Sequence, residues 1–229
     1  MKKILEEIKA NYLEKNAIFN KKLVPTVDFS RMCGISVPKS KEIAKMYANT
    51  FDGFDYLENC KFTTLDETNI YGLMLGYLNV DANVLIKYLN IFLSHLDNWL
   101  SCDITCSNLK IVKKMPDFFK KNIKMWLKND NFYIKRFAVV ILLDYFLDSN
   151  FDKNDLFVLA NYNEDDYYFN MALAWYFSVA IVKQYNETIK LFEKNIIKNK
   201  FVHNKSIQKC VESFRVSEEK KKYLKSLKI

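Results

Sequence analysis

Residues 132–147, FYIKRFAVVILLDYFL, and residues 167–182, YYFNMALAWYFSVAIV, decide the fold. Both are apolar almost all round, lack proline and glycine, and run well past the about 4–8 residues of a buried strand. A helix that is apolar all round is buried by several neighbours, not by one core face. Asn170 and Ser178 interrupt the second run, which falls short of the ~20 apolar residues of a spanning helix. The expectation is two interior helices of a packed, soluble protein.

Helical periodicity continues outward in both directions. The spacing predicts helices over 64–79, 81–96, 98–113, 116–128, 154–161, 186–198, 204–215 and 218–227. Asp81 reads as an N-cap, and Pro116 suits a first turn, where no backbone N–H is needed. Helix pairs begin near residues 64, 97, 131, 165 and 202. A step of about 33–37 residues marks stacked helix–turn–helix units. The units are dissimilar in sequence and lack the Trp-Gly-Tyr pattern of tetratricopeptide repeats. The expected architecture is therefore all-α: a HEAT-like helical-repeat solenoid, or α-α superhelix, forming a single curved domain over residues 1–229 with a concave face.

Composition agrees. Four glycines and three prolines are too few for a β-sandwich or an α/β fold. Five cysteines, at 33, 60, 102, 106 and 210, form no paired framework, and the 102/106 spacing is not that of a zinc site. With only His95 and His203 beside them, no metal is expected. The thiols read as small buried hydrophobes in a reducing cytoplasm.

The formal charge is +8, unevenly spread. Residues 107–136 hold nine basic and two acidic side chains and residues 183–229 thirteen and five, whereas residues 144–169 hold one and seven. That polarity fits one basic face for nucleic acid and an acidic back, or merely solvated lysine. In the helix after Pro116, Phe119, Ile123 and Trp126 form an inward stripe, and Lys120, Lys124 and Lys128 a ladder opposite it. The ladder could track a phosphate backbone or be an ordinary wet face.

The segment HLDNWLSCD, residues 95–103, is the most informative for chemistry. Trp99 and Asp103 lie four apart, so indole and carboxylate share a helical face. Trp99 alone reads as core. Beside an acid, however, its ring could attract a cationic base lesion while the carboxylate stabilises a cationic sugar. Only three arginines, Arg31, Arg136 and Arg215, stand among the lysines. Arg136 opens an apolar helix, where an unpaired guanidinium is costly, so a phosphate or carboxylate partner is expected. Trp175, among Met171, Ala172 and Val179, reads as core packing.

Taken together, DNWLSCD (97–103), NDNFYIKRFAVVILLDYF (129–146), DDYYFNMALAWYFSVA (165–180), SIQKCVESFRVSEEKKKYL (206–224) and GISVPKSKEIAK (34–45) resemble the AlkD-like DNA alkylation repair family of HEAT-like alkylpurine glycosylases. The resemblance implies that Trp99 and Trp175 face the lesion, that Asp103 is the catalytic aspartate and that Arg136 grips a phosphate. It implies cleavage of N3- or N7-alkylated purines in duplex DNA without base flipping and without metal or organic cofactor. It further implies a cytoplasmic monomer that joins the nucleoid when DNA-bound. Glycosylases of this type press an N-terminal helix against the duplex. Here the matching region, Asn16–Arg31, contains Pro25 among β-branched neighbours, which resembles a branch lacking that helix. Two alternatives stand beside catalysis: a non-catalytic binder of branched or distorted DNA, and a protein-binding helical scaffold.

Overall fold

The computed structural model describes residues 1–229 as fourteen α-helices and two 3-10 turns, with no strand. No helix is long and apolar enough to cross a membrane. The contacts gather the chain into two compact units, Met1–Lys114 and Met115–Ile229.

The first unit holds α1 (Lys2–Ala10), α2 (Glu14–Leu23), α3 (Val37–Tyr47), α4 (Phe51–Asn59), α5 (Leu65–Leu75), α6 (Ala82–Ser94) and α7 (Trp99–Asn108). Every residue of α5 is buried, and α3 and α7 both pack against it. The α5–α7 approach needs Gly72, because a Cβ there would lie 2.0 Å from Thr105 Oγ1. That closeness fixes the helix that carries Trp99 and Asp103.

The second unit holds α8 (Pro116–Trp126), α9 (Phe132–Tyr145), α10 (Lys153–Ala160), α11 (Tyr167–Lys183), α12 (Tyr185–Glu193), α13 (Lys200–Glu212) and α14 (Glu218–Ser226). α11 packs on both α9 and α13, so the two quoted apolar runs lie side by side. The Phe119–Ile123–Trp126 stripe is buried, and Trp126 meets Phe137 edge-on at 5.3 Å. Burying each such side chain contributes about 1.5–3 kcal/mol.

The repeat is written in the caps. Side chains of Thr64, Asn98, Asn131, Asp166 and Asn199 each accept a backbone N–H at the start of α5, α7, α9, α11 and α13. The steps between these caps are 34, 33, 35 and 33 residues by subtraction of their numbers. Each cap is worth about 1 kcal/mol.

Four expected boundaries move by four residues or more, the first being the end of α5, at Leu75 rather than 79. α12 ends at Glu193 rather than near 198, because Asn195 takes a left-handed φ of 51°. Ile196 N–H then bonds Leu191 O at 2.9 Å and Asn195 N–H bonds Phe192 O at 3.2 Å, which closes a Schellman motif. α13 starts at Lys200, under its Asn199 cap, ahead of the expected 204. α7 stops at Asn108, whose side-chain amide donates to Leu73 O at 2.8 Å, and the chain continues as a 3-10 turn over Lys110–Lys114.

The expectation of a missing N-terminal helix is corrected. α2 runs to Leu23, and Pro25 lies just beyond its end, terminating the helix without abolishing it. Only residues 24–28 of the Asn16–Arg31 region leave helical structure altogether, because the last three form a 3-10 turn. Lys21 Nζ donates to Pro25 O at 3.1 Å and Val27 O at 2.9 Å, which holds this turn.

Candidate functional site

Trp99 opens α7 behind its cap, and Asp103 follows one turn later. Both are half-buried. The Trp99 indole Nε1 donates to the Leu23 carbonyl at 3.0 Å. The Trp99 ring and Leu100 pack against Ala17, Val24, Val27, Met32 and Leu65. Trp99 is thus seated by α2 and the Pro25 turn with part of its surface left open, between the core and lesion-facing expectations.

The segment that seats Trp99 is itself tied down. Buried Asp66, on α5, accepts backbone N–H groups from Cys33 (2.7 Å), Gly34 (3.2 Å) and Ile35 (2.7 Å). Burial pushes its carboxyl above the usual carboxylate range, while the three N–H groups pull the other way. Gly34, at φ 76°, lies so close to α2 that a Cβ would sit 2.3 Å from Leu13 O. Arg31 pairs with Asp97 at 2.5 Å, two residues before Trp99. This accounts for one of the three arginines as internal fastening.

In the second unit, Arg136 is buried and its Nη1 donates to the Tyr168 carbonyl at 2.6 Å. The neighbouring Lys135 pairs with Glu164 at 2.7 Å and lies 4.9 Å from the Phe132 ring centroid. Trp175 belongs to the one incompletely buried stripe of α11, with Met171, Val179 and Val182. It lines an open cleft of about 540 Å³ whose rim carries Asp144, Lys183, Lys209, Glu212 and Arg215. The core expectation for Trp175 therefore fails on one side of the ring. Of the three tryptophans, only Trp126 is core.

The lysine ladder divides. Lys120 is ion-paired with Asp155 and lies 5.2 Å from the Phe146 ring centroid. Burial pushes the Asp155 carboxyl up, against the pull of Lys120. Lys124 and Lys128 are exposed, with no carboxylate partner. Trp99 and Asp103 thus fall in the first unit, and Arg136, Trp175, Lys120, Lys124 and Lys128 in the second.

No three His, Cys, Asp or Glu side chains group to hold a metal ion. Sequence reasoning missed Lys209 and Arg215 as lining residues of the Trp175 cleft. The repeat did not point to Lys209, which follows Trp175 by 34 residues where the Asp166 and Asn199 caps are 33 apart by subtraction of their numbers. A family model described as DNA alkylation repair enzyme matches residues 4–222. Neither the curated proteins nor the solved structures yield a match.

Proposed function

The chain belongs to the DNA alkylation repair enzyme family, and from that premise we propose that it is a monofunctional glycosylase for N3- and N7-alkylated purines in duplex DNA. The observation that carries the reading is the half-buried pair on α7, an indole and a carboxylate one turn apart on one face. An alkylated purine is already cationic. When its bond to C1′ breaks, the base takes the bonding electrons and leaves neutral, while the positive charge moves to the sugar as an oxocarbenium ion. Asp103 stabilises that ion, and water adds at C1′, releasing a proton and leaving an abasic site. Trp99 and Trp175 contact the lesion nucleotide, and Arg136, Lys124 and Lys128 serve the backbone. No metal or organic cofactor enters these steps.

The non-catalytic alternative drew on the expected absence of an N-terminal helix. α2 is present, and its outward stripe of Lys15, Ile18, Phe19 and Lys22 is exposed. This stripe is suited to press against a duplex opposite the lesion. The scaffold alternative, with the tryptophans in the core, fits Trp126 alone. Incubating the protein with duplex DNA containing 3-methyladenine and 7-methylguanine tests the proposal. Free alkylated base with an abasic product supports it, and salt-sensitive DNA binding without release moves the assignment to the non-catalytic alternative.

A further inference from the structure

The cleft beside Trp175 has a C-terminal wall to whose residues neither the resemblance nor the scheme above assigns a role. Its floor is Trp175 with Ser178, Val179 and Val182 of α11, and its wall is Lys209 of α13 with Ser213 and Arg215 just after it. We propose that Lys209 and Arg215 form a seat for one DNA phosphodiester, next along the backbone from the group held by Arg136. The inference rests on the DNA-binding part of the function proposed above.

Four observations lead there. First, Lys209 of α13 lines the same cleft as Trp175 of α11, and α13 packs directly on α11. The ammonium and the indole therefore share one cleft. Second, Lys209 is half-buried yet makes no ion pair or hydrogen bond. Other partly buried lysines of this unit do differently: Lys120 pairs with Asp155 and Lys135 with Glu164. The Arg215 guanidinium has no carboxylate partner either, since only its backbone N–H is engaged, by Ser213 Oγ. Third, burial and the nearby charges of Lys205 and Arg136 all disfavour a proton on Lys209, with Glu212 alone opposing them. Like charges gathered in a half-buried cleft are destabilising until an anion arrives. Fourth, Arg215 is one of only three arginines; Arg31 fastens Asp97 and Arg136 bonds Tyr168 O. Arg215 is the exposed one, and a planar fork is suited to phosphate oxygens.

The cleft is not uniformly positive. Asp144 and Glu212 line it too, and Lys183 is paired with Asp148 at 2.7 Å. The carboxylates exclude an anion from their own side and restrict it to the Lys209–Arg215 wall. Such a setting takes a single phosphodiester at a fixed register better than an indiscriminate polyanion.

The test is the salt dependence of binding to an intact duplex, measured for the wild type, Lys209→Gln, Lys209→Arg, Arg215→Gln and the double Gln variant. Each phosphate contact contributes about 0.9 to the slope of log K against log salt. Each Gln variant should flatten the slope by about that amount, the double variant by about twice as much, and Lys209→Arg should restore it. Thermal midpoints should hold or rise, because an unpaired half-buried cation is being removed; a lysine serving only the fold would instead lower them. An unchanged slope in the double variant, with wild-type binding intact, overturns the seat and leaves the proposed function standing. A wild type with no salt-dependent binding overturns both, and shows it before any variant is made.

Discussion

The indole Nε1 of Trp99 donates to the main-chain carbonyl of Leu23, 3.0 Å away and 76 residues earlier in the chain. The end of α2 and the start of α7 are therefore one construction. The side chain proposed to meet the lesion is oriented by the last turn of an N-terminal helix. That helix is held in turn by Gly34, by Asp66 and by the Arg31–Asp97 pair.

Gly34→Ala should loosen this construction. A left-handed residue with a Cβ costs roughly 1–2 kcal/mol, and here the added carbon also meets the backbone of α2. We expect a loss of about 2 kcal/mol or more in denaturant unfolding. Hydrogen-exchange protection should also fall over residues 14–23. Wild-type protection of that segment in the variant would show that α2 does not depend on the close approach.

Asp103→Asn should remove most base release and leave duplex affinity close to wild type. Loss of one electrostatic stabiliser of a developing charge commonly lowers the rate about 10²–10³-fold. Single-turnover release of 7-methylguanine reads this directly. Wild-type rates in the variant would take the catalytic role away from Asp103.

Lys124→Glu with Lys128→Glu should flatten the salt slope of duplex binding without unfolding the chain, since both side chains are exposed. Lys120→Glu should behave differently. It sets a second carboxylate against Asp155 in a partly buried place, so it should lower stability first. Salt titrations and melting curves together separate the two effects. If Lys120→Glu melts like the wild type and alone changes the slope, the division of the ladder drawn here is wrong.

His203 predicts the acid limb of stability. It is fully buried, its Nε2 donates to Leu227 O at 2.8 Å, and its Nδ1 has no partner. Burial lowers its proton affinity, against the pull of the Leu227 carbonyl. The unfolded chain, with an ordinary His of about 6.5, binds the proton more readily than the folded one. Stability contributed by the neutral ring is therefore present above that pH and lost as pH falls below it. His203→Gln should make unfolding free energy less dependent on pH between 7.5 and 5.5; an identical pH profile would exclude His203 as the source.

The sequence showed most of the fold because the repeat is carried by local chemistry. The Asp81 cap, the apolar runs in α9 and α11 and the regular spacing of helix pairs are legible one helix at a time, whereas the Asn199 cap that starts α13 early is not. What stayed hidden depends on contacts far along the chain. Pro25 looked destructive because its effect on α2 depends on where the helix ends, and that end is set by Val24 and the Lys21 bonds to Pro25 O and Val27 O. Lys120 looked like its two neighbours on the helix face, since nothing local reveals Asp155 waiting 35 residues later. Trp175 looked like core because α11 is apolar all round, and only packing against α9 and α13 shows which stripe is left uncovered.

The presence of α2 reverses an expectation about selectivity. A glycosylase that leaves its lesion in the duplex must still distort the DNA, at a cost of order 1–6 kcal/mol that contacts on both sides of the lesion must offset. Without an N-terminal helix, one side is missing and excision should be slow and unselective. With α2 anchored, Ile18 and Phe19 stand 47 % and 58 % exposed between Lys15 and Lys22, available to supply that side. We therefore expect selective release of alkylated purines by the wild type. Ile18→Ser with Phe19→Ser should change melting little, because exposed positions usually shift stability by less than about 0.5 kcal/mol. Excision should nevertheless slow by about tenfold or more, the equivalent of losing the burial of one such side chain against DNA. The preference for alkylated over intact duplex should shrink in step. If the double variant excises and discriminates like the wild type, α2 only seats Trp99, and the opposing contact must be sought elsewhere on the chain.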